Sequence, residues 1–191
     1  MNSLLDESDT VLCVIDVQPG FLAKLSPRMA SETVDRIRWL IRLAAALAIP
    51  IVVTEEDPAG NGPTVDPVVT ILPGGTERWD KTSFGLADQP DLLAIIERTG
   101  RQTTVLCGLE TDVCVAHSAL GLRDRGYRVA VVADAVASPG SAHAFGLDRM
   151  HGAGIALLGA KGVAYEWLRS VGRAAELSAV LESELPPGII L

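Results

Sequence analysis

Cys114 sits in GLETDVCVAHSAL (108–120), where an apolar run gives way to a helical pattern, with acids before it and His117 three residues on. A thiol in that place is either a small buried hydrophobe, as free cysteines usually are, or a nucleophile. As a nucleophile it needs help. A free thiol with a pKa near about 8.5 is only a few per cent thiolate at neutral pH. Making it mostly thiolate takes a shift of roughly two to three units, about 3–4 kcal/mol. A helix N-terminus supplies about 0.3–1 kcal/mol, and up to about 2 in partly buried geometry. A cation or a base has to make up the rest.

Three residues are candidates for that partner. Lys81, in WDKTSF, would be the cation, and Asp16, in VIDVQPGF, the base that accepts the thiol proton. His117 is either a base one helical turn from the sulfur or a residue at the mouth of a pocket, because helical side chains lean towards the N-terminus. Taken singly, Lys81 also reads as solvated surface and Asp16 as a strand-end turn. Their joint arrangement carries the chemistry. Cys13 and Cys107 lie inside apolar strands and read as filler, His143 and His151 as surface or structural residues, and Asp112 as a helix cap. A metal centre is not expected: the loop after IVVT has no histidine and the cysteines lack CxxC spacing. No GxGxxG or GxxxxGK[ST] is present, so no nucleotide or other cofactor is expected.

The elements that must position these residues alternate between β-branched runs and amphipathic stretches. VLCVID (11–16), IVVT (51–54), TTVLCG (103–108), RVAVVADA (128–135) and IALLG (155–159) read as strands, with a sixth hidden near 68–72 or in the loops. Residues 32–48 space Val34, Ile37, Leu40, Ile41, Ala44, Leu47 and Ala48 along one helical face, with Arg36, Arg38 and Arg42 largely on the other. Further helices are expected around 90–100, 111–126, 141–154 and 163–172, and the tail AAELSAVLESELPPG reads as a last surface helix. Residues 56–67 and 74–85 read as irregular loops. Such alternation implies an α/β fold: a mainly parallel, doubly wound sheet with helices on both faces and a ligand site at the carboxyl ends of its strands.

The chain has 191 residues, 48% hydrophobic and 21% charged, as expected of one soluble globular domain spanning 1–191. A net charge of −8 offers nothing to nucleic acid or an anionic membrane. The acidic N-terminus does not read as a signal peptide, and the longest apolar run, eleven residues broken by Pro50, is too short to span a bilayer. Three cysteines, an odd number without paired spacing, fit a reducing, cytoplasmic setting.

DVQPGF (16–21), KTSF (81–84) and GLETDVCVAHSAL (108–120) together resemble the isochorismatase-like cysteine hydrolases, which include nicotinamidases, N-carbamoylsarcosine amidohydrolase and ureidoacrylate hydrolases. The likeness runs from about residue 9 to 170. It implies a triad of Asp16, Lys81 and Cys114 and a non-proline cis peptide at Leu109–Glu110. It also implies an oxyanion hole from the backbone N–H groups of Glu110 and Cys114, six parallel strands, and a homo-oligomer. Two departures narrow the reaction. The TEEDPAGNGPT loop lacks the metal-binding histidines of nicotinamidases, so that activity and a bound zinc are not implied. Isochorismatases proper lack the cysteine, which is present here.

The implied activity is hydrolysis of a carbon–nitrogen bond in a small amide or carbamoyl substrate through a thioester on Cys114. Phe21, Glu56, Trp79, Phe84 and His117 flank the site under this fold and are candidate pocket walls; a Glu56 facing the substrate would favour a cationic or amine-bearing ligand. The rival readings are a non-catalytic small-molecule-binding or scaffold protein that keeps the triad, and a redox sensor built on an oxidisable Cys114.

Overall fold

The computed structural model describes residues 4–191. Six strands, β1 (Thr10–Ile15), β2 (Ile51–Glu56), β3 (Arg78–Lys81), β4 (Thr103–Leu109), β5 (Arg128–Ala137) and β6 (Ala156–Leu158), form one sheet in the order β3-β2-β1-β4-β5-β6. Every adjacent pair is parallel. The chain winds outwards from β1 in one direction and from β4 in the other, so the order reverses between these two strands. Side chains along β1 alternate between faces: Leu12 and Val14 enter one core, Val11, Cys13 and Ile15 the other. Burial on both faces is why this strand is a continuous apolar run.

Helices α1 (Pro27–Ala46) and α5 (Ala160–Leu168) cover the first face, with Ile37, Leu40, Ile41, Ala44, Val163 and Trp167 against the sheet. Helices α2 (Pro90–Arg98), α3 (Ala116–Asp124) and α4 (Ala142–Gly152) cover the second through Leu92, Ile96, Ala119, Leu122 and Met150. α1 starts before the apolar periodicity does. Ser26 accepts a hydrogen bond from the Met29 N–H (3.3 Å) and Pro27 occupies the first turn, so capping chemistry rather than packing sets its start.

Of the two places expected for the sixth strand the loops hold it: it is β3, inside the stretch 74–85, whereas 66–69 forms a single helical turn. RWDK lacks the β-branched residues and the apolar run of the inner strands because it is an edge, paired only with β2 and mostly exposed. Two further expectations are corrected. The loop 56–67 also holds a short helix, Pro58–Asn61, and β2 runs on to Glu56. The tail is two short helices, Val171–Glu176 and Ser178–Leu181, rather than one surface helix. Leu181 is buried, and its carbonyl accepts the Trp39 indole N–H at 2.8 Å, tying the tail to α1.

One backbone contact fixes how closely β1 and β4 approach beside the site. Gly108 pairs with Ile15, has φ +125°, and a Cβ built on it would lie 2.0 Å from the Ile15 carbonyl oxygen. No L side chain fits either the conformation or the space. Gly108→Ala is therefore expected to lower the unfolding free energy by at least about 3 kcal/mol, read from the urea denaturation midpoint; a loss under about 1 kcal/mol would contradict this packing.

Candidate active site

Four strands end in one place, and each delivers a functional side chain there. Asp16 follows β1, Glu56 ends β2, Lys81 ends β3, and Cys114 lies in the turn after β4. β1 and β4 are the neighbours at which the strand order reverses, the usual ligand position in an open α/β sheet. Asp16 departs from the strand at φ +50°, a left-handed conformation that aspartate tolerates better than most residues. The Leu109–Glu110 peptide is cis, and residues 111–115 form a wide turn before α3 begins.

Lys81 Nζ lies 2.9 Å from Asp16 Oδ2, and both side chains are 0% exposed. The ammonium donates to Glu56 Oε2 (3.1 Å), the Ser83 carbonyl (2.8 Å) and the Phe84 carbonyl (3.0 Å). Thr54 Oγ1 donates to Asp16 Oδ1 at 2.7 Å, while Oδ2 has no aligned hydrogen-bond donor despite its ion pair. Cys114, 1% exposed, donates its thiol proton to Glu56 Oε2 at 2.8 Å. Its resting partner is thus Glu56, whereas Asp16 is the base expected from the sequence.

The electrostatics follow from burial and this set of charges. Burial pushes the Asp16 carboxyl above its ordinary value, against the opposing pull of Lys81 and the Thr54 hydroxyl. Burial and the charge of Asp16 push the Cys114 thiol up, and Lys81 only partly offsets them. Burial would lower the Lys81 ammonium, but Asp16, Cys114 and Glu56 outweigh it and hold it above its usual value. These directions favour a neutral thiol and a charged lysine, whose ammonium lies between the Asp16 and Glu56 carboxyl groups. Oxygens of Asp16 and Glu56 and the sulfur of Cys114 lie within 4.8 Å of one another, close enough to share a metal ion. The Lys81 ammonium already bridges the two carboxylates, so a divalent cation would meet a fixed positive charge.

The other candidates divide. Phe84, 55% exposed, meets the half-buried His117 edge-to-face at 6.0 Å between ring centres, above the Ser83–Phe84 carbonyls that hold Lys81. The ring contact of His117 is with Phe84 and not with the sulfur. Phe21 is buried with Leu109 and Ala137 and so supports the segment carrying the cis peptide. Trp79 packs against the core on the α2–α3 face. Asp112 is not a helix cap: its Oδ1 accepts from the Ser138 hydroxyl at 2.6 Å, because the wide turn aims it at the end of β5. Of its two readings, surface or structural, His143 takes the structural one. It is half-buried, shares a 2.9 Å hydrogen bond with Thr111 Oγ1, and burial lowers its pKa, which keeps the ring neutral.

Two site residues escaped the sequence reading. Thr54 opens the polar half of β2 (IVVTEE), two positions before Glu56 and on the same side, and that parity was the available signal. Gln18 is fully buried and clasps the backbone of Glu56: its Oε1 accepts the Glu56 N–H (2.7 Å) and its Nε2 donates to the Glu56 carbonyl (3.0 Å). It was hidden in plain sight within DVQPGF.

The chain as a whole is similar to known proteins. The Isochorismatase domain family matches residues 10–161. Isochorismatase domain-containing protein 2 of Xenopus laevis is 33% identical over 165 residues, covering 86% of this chain and 78% of the relative. Among solved structures, YcaC from Pseudomonas aeruginosa, determined with hexane-2,5-diol and covalent acrylamide, superposes with a TM-score of 0.88 at 26% identity, covering 97% of this chain and 94% of its own. YcaC from Escherichia coli, described as an octameric hydrolase of unknown specificity, gives a TM-score of 0.86 at 26% identity over 97% and 93% of the two chains.

Proposed function

The chain belongs to the isochorismatase domain family, and from that premise we propose that it is a cysteine hydrolase cleaving a carbon–nitrogen bond in a small amide or carbamoyl compound. The observation that carries this reading is the buried meeting of Cys114, Lys81 and an Asp16 oxygen without an aligned donor. Asp16 Oδ2 takes the Cys114 proton as the sulfur attacks the carbonyl carbon, and its raised pKa makes it a better base than an ordinary carboxylate. The carbonyl oxygen becomes an oxyanion held by the backbone N–H groups of Glu110 and Cys114; one such donor is worth about 3–4 kcal/mol in other hydrolases. As the carbon–nitrogen bond breaks, Asp16 returns the proton to the departing amine. Water then cleaves the thioester, releasing the acid and restoring the thiol. Lys81 supplies fixed positive charge to the thiolate throughout.

The covalent acrylamide in the P. aeruginosa relative supports a reactive centre open to a small amide-bearing molecule. The octameric E. coli relative supports a homo-oligomer as the working form. No helix among the described residues is long and apolar enough to cross a membrane, and three free thiols suit the cytoplasm. Incubation with a panel of primary amides and carbamoyl compounds is expected to give an intact-mass adduct on Cys114 together with released ammonia. A thiol-reversible mass gain under peroxide, with no amide turned over, would replace this reading with a redox one.

A further inference from the structure

We propose that Glu56 makes this site select substrates with a protonated amine close to the scissile carbonyl; this deepens the reading of Cys114 as a nucleophile and rests on it. The ionisable groups that meet at the four strand ends are Asp16, Glu56, Lys81 and Cys114. With the thiol neutral, two carboxylates face one ammonium, leaving one uncompensated negative charge. Passing the thiol proton to Asp16 makes a thiolate and a neutral carboxyl, so the excess negative charge persists through the attack.

Among the described residues no cation other than Lys81 pairs with Asp16 or Glu56. Lys24 is engaged by Glu110 at 3.1 Å, and His117 meets Phe84 rather than an acid. Asp16 Oδ2, fully buried, has the Lys81 ammonium at 2.9 Å but no aligned donor, so a single ammonium is shared between two carboxyl groups beside the sulfur. A buried charge without a partner is costly, so a ligand that brings the missing cation gains what the protein lacks.

Geometry names the atom that receives it. Both side-chain contacts of Glu56, to Cys114 and to Lys81, use Oε2. Oε1 stays uncommitted on a side chain that is 16% exposed, where Asp16 and Lys81 are wholly closed. Gln18 holds the Glu56 backbone from both its N–H and its carbonyl, so the carboxylate is fixed in place. An ammonium paired with Oε1 would lie about 5 Å from the sulfur, taking roughly 2.8 Å for a charged hydrogen bond. With the carbonyl carbon about 3–3.5 Å from the sulfur at attack, the amine sits roughly two to four bonds from that carbon. Short amino-acid amides and amine-bearing carbamoyl compounds meet this condition. An amidinium at the reacting carbon does not, since its N–H donors would face the backbone N–H groups proposed for the oxyanion.

A matched set of methanethiosulfonates tests this without knowing the substrate. In each case the Cys114 thiolate attacks the sulfenyl sulfur, forms a mixed disulfide and expels methanesulfinate. The aminoethyl reagent is cationic, the methyl one neutral and the sulfonatoethyl one anionic. Rates at Cys114, located by peptide mass and normalised to free cysteine, are expected to favour the aminoethyl over the sulfonatoethyl reagent by at least about tenfold, since unit charges a few ångströms apart interact strongly in a partly buried site. Glu56→Gln, which keeps the shape and removes the charge, should bring the ratio within about threefold. The wild-type ratio stands even if that variant folds poorly. Reaction without charge preference, or a preference unchanged in Glu56→Gln, overturns the role of Glu56 and leaves Cys114 a nucleophile. A Cys114 silent to all three reagents overturns both.

Discussion

Cys114→Ala is expected to lower turnover of any amide or carbamoyl substrate by about 10⁴-fold or more, leaving only what substrate binding and the backbone donors contribute. The size follows from the chemistry: without the sulfur no thioester forms, and water must attack the amide directly. The fold should survive, because the change removes one buried atom and leaves the Asp16–Lys81–Glu56 contacts in place. A fall of less than about tenfold, with the fold intact by circular dichroism, would mean that the sulfur is not the nucleophile. The pH profile gives a second reading of the same step. Asp16 must be ionised to take the proton, and burial holds its pKa above the ordinary 3.8. kcat/KM should therefore decline as pH falls through that raised value, with its acid limb above pH 3.8. Asp16→Asn should remove most of the activity, and what remains should lack that limb.

Lys81→Met is expected to cost about 3–5 kcal/mol of stability, the usual effect of taking one partner from a buried ion pair. For a chain of this size that corresponds to a fall in Tm of roughly 6–20 °C. Methionine nearly matches the lysine stem in volume, so packing loss contributes little. Its removal leaves Asp16 and Glu56 facing each other with no cation between them, and orphans the Ser83 and Phe84 carbonyls. The pH dependence separates charge from packing. With Lys81 gone the Asp16 pKa in the folded state rises further, so the protonated form is favoured by folding. Stability is then fully present below the unfolded pKa near 3.8 and is lost as pH rises through the folded value. The deficit should be largest at neutral pH and shrink on acidification. A deficit that ignores pH, or one below about 1 kcal/mol, would show that Lys81 does not hold the carboxylates together.

Much of this was legible in the residues because the interior strands carry it. β1 and β4 are buried on both faces, and their apolar runs can be read without knowing their neighbours. Asp16 and Cys114 stand out because each follows such a run. Lys81 was harder: WDK lies on an exposed edge whose strand conformation is imposed by β2, and a lysine in a loop-like segment resembles surface. Only its company with the other two motifs singled it out. Glu56 could be named but not placed. Its contact with the sulfur depends on the β2–β3 register that sets it opposite Lys81, and on the clasp of Gln18. Asp112 reads as a cap only for an ordinary α-helical start; the chain instead makes a wider turn that points its carboxylate at Ser138.

The three hydrogen bonds of the Lys81 ammonium have a kinetic meaning. An ammonium has three protons, and here each has a fixed acceptor, two of them carbonyl oxygens that cannot turn away. Lys81 is consequently a stationary charge and not a proton carrier: giving up a proton would break a bond it cannot replace inside a closed site. Under the proposed mechanism, proton traffic in this pocket is left to Asp16. A solvent isotope effect should thus track changes at Asp16 and be indifferent to the ammonium, which sets the field and stays out of the relay.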